Sequence, residues 1–286
     1  EELDVADTPA TGDPDTKWVP YFWPDEVPKG TPAITHNHYF AGAYQDLLPA
    51  AGLRYYVYGA NSNVIKYNGL HAFNIDETAP DTLGPNKSCP DEALPLTNRL
   101  NNVRNKIASL SHWNDGGTVA SEGIAWAMRM LSPGAPFTEG ARPSKKLEKI
   151  IVLFGDGRNQ LPVNIDNSPM RTDYSAYGYM FANTGRFEEY DKSALSDFSS
   201  LAPVDRLLKA SQRVLDQRMR QACDNAKEQN IRILTILFNE NDPETKALYQ
   251  YCASEPEDAL VAADPASLKN AFQTIAQKVL KLHLRK

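Results

Sequence analysis

The sequence predicts an α/β domain, a three-layer sandwich whose sheet is mainly parallel. Two largely apolar runs, 150–154 and 233–238, are continuous instead of alternating, which is typical of strands covered on both faces. Amphipathic helical patterns separate these runs, and strands that alternate with helices favour a parallel sheet. With 286 residues and a hydrophobic fraction of 42%, the chain is long enough to bury a full core.

The predicted elements alternate between helix and strand from residue 96 onward. Apolar residues at 3- and 4-residue spacing predict helices with one buried face, as in Leu100, Val103, Ile107 and Leu110. In chain order we predict a helix from Thr97 to near Trp113, a helix over Val119–Leu131, a strand over Leu147–Phe154, a helix over Leu207–Lys227, a strand over Ile231–Phe238, a short helix through Leu248 and Cys252, a strand over Ala259–Ala263 and a helix from Ser267 to about Leu280. Within this core of residues 96–286, the polar segment 158–204 is predicted to be a surface insertion.

Residues 1–95 have a different composition from the rest of the chain. They hold eleven of the 20 prolines, which break helices and inner strands, together with twelve aromatic residues. We predict an irregular, ordered layer that packs on the core through aromatics such as Trp18 and Trp23, with one candidate strand at Leu53–Tyr58. A disordered linker is the alternative, although such linkers are usually poor in aromatic residues.

Composition also excludes several classes of function. The net charge of −6 argues against a nucleic-acid partner, because phosphate binding needs clustered Lys and Arg. No apolar run approaches the ~20 residues of a membrane-spanning helix. The chain has no Gly-x-Ser-x-Gly elbow and no phosphate-binding loop, so a non-enzymatic protein is expected.

Two segments resemble motifs of the von Willebrand factor A (vWA) domain. They are 116–124, Gly-Gly-Thr-Val-Ala-Ser-Glu-Gly-Ile, at a helix start, and 151–159, Ile-Val-Leu-Phe-Gly-Asp-Gly-Arg-Asn, at a strand end. The resemblance implies a divalent cation above the sheet, held by an Asp-x-Ser-x-Ser loop, a threonine and an aspartate. Thr118 and Asp156 match the last two, and their oxygens suit Mg²⁺.

The chain is similar over nearly its whole length to the TadG-like bacterial vWA domains of Flp/Tad pilus assembly. The similarity lies in the segments 16–26, 66–69, 84–90, 131–140, 174–179 and 252–254. It implies a protein-binding or adhesion module of the periplasm or cell envelope, whose partner belongs to the pilus or envelope machinery. It also implies a membrane anchor upstream of residue 1 as the sole membrane attachment.

The sequence departs from the vWA pattern at three points. No Asp-x-Ser-x-Ser motif occurs in the 286 residues, so the first strand of the fold and three ligand side chains are expected to be missing. Gly155 stands where the family usually has Thr, and Val119 replaces the usual Asn. Mg²⁺ or another divalent cation is therefore expected only if the missing segment is present.

An envelope location also implies an oxidising compartment, in which cysteines pair. Cys223 and Cys252 lie on predicted helices that flank the strand 231–238, and we expect them to form a disulfide. Cys89 would then be unpaired. The alternative for Cys223 is an ordinary buried thiol on a helix stripe.

Other interpretations of the candidate site residues stay open. Thr118 can be a helix N-cap whose hydroxyl accepts a hydrogen bond from the Ser121 amide, with or without a metal. Asp156-Gly157 can form a hairpin turn, although the preceding strand does not alternate. His36 and His38 suit zinc, but no further ligands are evident. A metal-dependent hydrolase on the same fold is the alternative function, but it needs more carboxylates near Asp156 and a general base, which Arg158 and Asn159 do not supply. Asp115 or Asp173 would be a further carboxylate if the cation site is completed within this chain.

Overall fold

The structure is a computed structural model that describes residues 91–111, 117–134, 137–161, 177 and 196–284. Most of the layer predicted for residues 1–95, including Trp18, Trp23 and the strand Leu53–Tyr58, lies outside these residues. Residues 91–95, which are described, form neither helix nor strand.

Five helices and three strands are present in the described residues, in an α/β arrangement. Every element predicted after residue 96 is found; the strand over 231–238 keeps its predicted bounds, and the other elements have at least one end displaced by a few residues. The elements are α1 (Leu100–Ser109), α2 (Ala120–Leu131), β1 (Lys149–Gly155), α3 (Pro203–Glu228), β2 (Ile231–Phe238), α4 (Pro243–Cys252), a 3₁₀ turn (Pro256–Asp258), β3 (Ala259–Ala262) and α5 (Pro265–Leu284). Helices α3 and α5 begin earlier than predicted, because a proline is favoured in the first turn of a helix.

The three strands form one parallel sheet in the order β1-β2-β3. Lys149 pairs with Ile231 and Gly155 with Leu237, so β1 and β2 end together. On the other side of β2, Thr235 pairs with Ala259 and Phe238 with Ala262. The prediction of a mainly parallel sheet is confirmed.

Helices cover the central strand β2 on both faces. On one face, Ile231, Ile233 and Leu237 pack against α2, α3 and α4 in the largest buried cluster. On the other face, Leu234 and Ile236 pack against Ala271 and Ile275 of α5. The prediction that β2 is covered on both faces is therefore confirmed, and this burial explains its continuous apolar run.

The same prediction is wrong for β1. Ile151 is buried under α2 and α3, but Val152 is 40% exposed and Phe154 is 47% exposed. Helix α5 covers this side only in part: Ile150 packs against the cluster that contains Ala271 and Ile275, and the ring of Phe272 contacts that of Phe154 edge-on at 5.5 Å. Within the described residues, β1 is also an edge strand, because its only strand partner is β2.

The buried face predicted for α1 is not found either. Leu100 is 66% exposed and Ile107 is 63% exposed, and no residue of this helix is buried. The polar side of α1 is tied to the preceding segment, since Lys106 forms ion pairs with Asp91 at 3.6 Å and Glu92 at 3.4 Å.

A disulfide joins the two helices that precede and follow β2 in the chain. Cys223 of α3 and Cys252 of α4 are bonded, with their Cα atoms 5.2 Å apart, and both side chains are fully buried. The bridge therefore fixes α3 to α4 inside the main core. Cys89 lies outside the described residues.

The amino end of the sheet holds a fully buried carboxylate. Asp258 accepts two hydrogen bonds from Arg232, at 2.8 and 2.9 Å, and one from the Lys278 ammonium at 2.8 Å. Burial opposes ionisation of Asp258, but these hydrogen bonds outweigh it and hold its pKa below the usual value. The group joins β2, β3 and α5 where the strands begin.

Candidate functional site

The candidate site lies at the carboxyl end of the sheet, where ligands bind in open parallel sheets. Strand β1 ends at Gly155 and is followed directly by Asp156, whose side chain is exposed. The loop 156–160 then turns back toward the start of α2. A hairpin at Asp156-Gly157 is wrong, because β1 pairs with β2 in parallel and has no antiparallel strand neighbour among the described residues.

Thr118 is held against this loop by the main chain. Its amide donates to the Gln160 carbonyl oxygen at 2.8 Å, and the Gln160 amide donates to the Thr118 carbonyl oxygen at 2.9 Å. The two sequence-predicted ligands, Thr118 and Asp156, thus lie on adjoining segments at one end of the sheet.

Gly117 permits this close approach of the two segments. A Cβ atom at position 117 would overlap the carbonyl oxygen of Gln160. Because backbone atoms cannot move aside as a side-chain tip can, any larger residue would push Thr118 away from the loop.

Thr118 is not the N-cap of α2, so that alternative is wrong. The N-cap residue is Val119, whose side chain makes no capping hydrogen bond. The amide of Ala120, the first residue of α2, instead donates to Asn159, whose Oδ1 accepts the hydrogen bond at 2.9 Å. A residue distant in sequence thus fills the role that helix caps usually fill locally.

Asn159 also contacts α3, and it is 3% exposed. Its Nδ2 donates to Oδ1 of Asp216 at 2.9 Å and lies 3.3 Å from the sulfur of Met219. Burial raises the pKa of Asp216 to about 6, although the hydrogen bond from Asn159 acts in the opposite direction. A carboxyl group with a raised pKa at the carboxyl end of a parallel sheet is a candidate functional group.

Tyr249 of α4 lies beneath the end of β1. Its hydroxyl oxygen occupies the space that a Cβ atom at position 155 would need. Burial, followed by the negative charges of Asp156 and Asp216, raises the pKa of Tyr249 to about 12, so the phenol stays neutral. The packing of Tyr249 thus leaves no space for a side chain at position 155.

Charged side chains connect the loop after β1 to the loop after β2. Arg158 forms ion pairs with Glu240 at 3.5 Å and Asp242 at 3.9 Å. Hydrogen bonds from the backbone amides of Asp242 and Asn241, with the charge of Arg158, hold the pKa of Glu240 below its usual range. Asp242 is the N-cap of α4, with its carboxylate accepting from the Thr245 amide at 2.9 Å.

The arrangement offers few ligands for a metal ion. No group of three or more His, Cys, Asp or Glu side chains that could hold a metal occurs in the part of the chain that the structure describes. Thr118 and Asp156 supply one hydroxyl and one carboxylate. His36, His38, Asp115 and Asp173 lie outside the described residues.

Sequence reasoning missed Asn159 and Asp216 as members of the site. One signal for Asp216 is visible in the sequence, because it lies three residues before Met219 and seven before Cys223 on the apolar stripe of α3. A carboxylate at such a position is buried at a cost, which marks it for attention. No comparable pattern surrounds Asn159.

No family model matches the chain, and neither a curated protein nor a solved structure matches it significantly. None of the described helices has the length and apolar character needed to cross a membrane.

Proposed function

We propose that this chain is a vWA-like module of the TadG-like kind, which binds a protein of the pilus or cell-envelope machinery at the carboxyl end of its sheet. The observation that carries the proposal is the pairing of Thr118 with Gln160. This pairing brings the threonine before α2 beside the loop that carries Asp156. The two residues that match the vWA motifs therefore share one surface.

The edge and outer face of β1 support a larger sheet of the vWA type. In this proposal a further strand, which carries the Asp-x-Ser-x-Ser motif and belongs to a segment upstream of residue 1, pairs with the open edge of β1. Val152 and Phe154, now exposed, would be covered by the elements that accompany it. Apolar strands of parallel sheets normally have both faces covered, which is the physical reason for the proposal.

An envelope location is supported by the bonded pair Cys223 and Cys252. Disulfides persist in the periplasm and outside the cell, and they are rare in reducing compartments. We accordingly propose a periplasmic or envelope-facing module, attached to the membrane only through an upstream anchor.

Cation binding by the present chain should be weak. Mg²⁺ needs near-octahedral geometry at about 2.1 Å and loses water reluctantly, so Thr118 and Asp156 alone compete poorly with bulk water. Bound cation would raise stability by about RT ln(1 + [L]/Kd), so millimolar Mg²⁺ or Mn²⁺ should leave the melting temperature almost unchanged. A clear rise that Asp156→Ala abolishes would show instead that other carboxylates complete the site.

Protein binding can be tested by site-specific photo-crosslinking. A crosslinking residue fits at Gly157, because no atom lies within 4 Å of a Cβ placed there. We expect crosslinks to an envelope protein from position 157, and far fewer from the exposed Glu257 at the opposite end of the sheet. The Asp156→Ala change should reduce the crosslinks from position 157.

Two results would count against the proposal. Equal crosslinking from positions 157 and 257 would remove the carboxyl end of the sheet as the binding surface. Turnover of phosphoester or peptide substrates with Mg²⁺ or Mn²⁺, lost in Asp156→Ala, would favour the metal-dependent hydrolase.

A further inference from the structure

One buried side chain joins three segments at the candidate site. Asn159 follows β1, its Oδ1 accepts from the first amide of α2, Ala120, and its Nδ2 donates to Asp216 of α3. The loop 156–160 that presents Asp156 and backs Thr118 is therefore fastened to the body of the domain through Asn159. Asp216 is the residue of α3 that accepts the hydrogen bond from Asn159.

Asp216 accepts its hydrogen bond from the neutral amide group of Asn159. No ion pair of Asp216 occurs among the described residues. The charged and titratable groups that act on it are Arg220 on its own helix, Asp242 and Glu244 at the start of α4 and Tyr249 farther along α4, whereas Arg158 on the β1 loop pairs with Asp242. The acidic groups in this set oppose ionisation of Asp216, and Arg220 favours it. Helix α2 joins the contact through the backbone amide of Ala120.

We propose that the Asp216–Asn159 contact is a proton-operated link that controls how tightly the loop 156–160 is held against α2 and α3. The proposal rests on the proposed function, because it assigns a regulation to the same binding surface. Asp216 acts here as a positioning residue, since it reaches the surface only through Asn159.

The direction of the control follows from burial. In the closed link burial raises the pKa of Asp216 from its usual 3.8 to about 6, whereas an opened link exposes the carboxyl group to water and restores the usual value. The closed form thus binds the proton more tightly, and closing takes up a proton. Raising the pH from about 4 to above 6 should therefore favour opening, by up to about 100-fold.

Hydrogen exchange of the full chain measures this opening directly. The amide of Ala120 is protected by Asn159, so its protection factor, corrected for intrinsic exchange, reports the state of the link. We expect this factor to fall by about 10- to 100-fold between pH 4.5 and 7 in the wild-type protein. In Asp216→Asn, which keeps an acceptor oxygen without the charge, it should stay constant.

Two controls separate this effect from a general loss of structure. The amide of Ile233, which donates to the hydroxyl oxygen of Ser254 near the other end of the sheet, lies in the central strand and is expected to exchange through global unfolding. Its protection factor should exceed that of Ala120 at every pH, and it should change with pH no more than the global free energy of unfolding does. The variant Asp264→Asn removes an exposed carboxylate that caps α5, and it should leave the pH dependence at Ala120 unchanged.

A pH dependence at Ala120 that persists in Asp216→Asn would overturn the proposal, and so would its absence in the wild type. Should the variant not fold, the carbon-13 resonance of the Asp216 carboxyl group decides the matter in the wild type, because a midpoint near 3.8 contradicts the link. These measurements need no partner protein and no cation. Their failure would therefore leave the proposed protein binding standing, and a failed crosslinking experiment would leave the link standing.

Discussion

The two ends of the sheet hold acidic side chains whose pKa values are shifted in opposite directions. At the amino end, Asp258 is fully buried between Arg232 and Lys278, and its pKa lies below the usual value. At the carboxyl end, Asp216 faces the neutral amide of Asn159, and burial raises its pKa to about 6. A carboxylate paired with cations fastens strands and helices, whereas one left with a neutral partner lowers stability when it ionises. The difference places the functional candidate at the carboxyl end.

The largest loss of stability is expected when the buried carboxylate at the amino end of the sheet is removed. Asp258→Ala leaves Arg232 and Lys278 without their shared partner, and it should lower the free energy of unfolding by about 3–5 kcal/mol. Urea denaturation measures the loss. Asp264→Ala, which removes an exposed carboxylate from the cap of α5, should cost much less. Equal losses in the two variants would mean that Asp258 is not a structural carboxylate of the kind described.

The contribution of Asp258 to stability should depend on pH in a definite direction. Because the pKa of Asp258 is lower in the folded protein, its contribution is complete above its usual 3.8 and is lost as the pH falls below that value. The acid limb of the stability profile should therefore be shallower in Asp258→Ala.

The disulfide between the two ends should have the next largest effect. Its two cysteines are 29 positions apart in the sequence, and for a loop of about this length the chain-entropy model gives roughly 3–4 kcal/mol of stabilisation. Cys223→Ala/Cys252→Ala should lower the free energy of unfolding by about this amount, as measured by urea denaturation without reductant. Non-reducing peptide mapping that finds both thiols alkylatable in the native protein would contradict the bridge.

Patterns of burial made most of the fold predictable. Strand β2 was predicted with its observed bounds, Ile231–Phe238, because both of its faces are covered and its apolar run is unbroken. The same pattern misled for β1, whose sequence matches a strand with two covered faces although Val152 and Phe154 are exposed. An apolar run indicates that both faces of a strand should be covered. Among the described residues, nothing covers Val152 and Phe154 fully.

The candidate site was only half predictable, for a physical reason. Thr118 and Asp156 were found by resemblance to motifs, which are local in sequence. Asn159 and Asp216 meet through a hydrogen bond between residues 57 positions apart, and no periodic pattern records such a contact. The one sequence signal for Asp216 is that it is a charged residue among the apolar positions of α3.

Removing the charge at the carboxyl end should have the opposite effect to removing it at the amino end. Asp216→Asn keeps an acceptor for Asn159 and avoids burying a charge, so we expect a gain of about 1–2 kcal/mol at pH 7.5. The pKa of Asp216 is raised by folding, so its ionisation costs stability as the pH rises from its usual 3.8 through about 6. The gain should therefore vanish near pH 4. A loss of stability at pH 7.5 would show that the carboxylate is structural, like Asp258.

The smallest expected effect decides which side chain caps α2. Asn159→Ala removes the acceptor of the Ala120 amide and the partner of Asp216, and it should lower the free energy of unfolding by about 1–2 kcal/mol. Thr118→Ala removes a side chain that caps nothing in the structure, and its main-chain bonds to Gln160 remain, so the loss should stay within about 0.5 kcal/mol. Urea denaturation of both variants at pH 7.5 gives the comparison. A larger loss for Thr118→Ala would restore the local cap that the sequence suggested, and the loop after β1 would then be held by its main chain alone. If Asn159→Ala is the more damaging change, the long-range contact fastens the loop. A single amide side chain then joins the loop to α2 and α3 at the carboxyl end, whereas at the amino end two cations share one carboxylate.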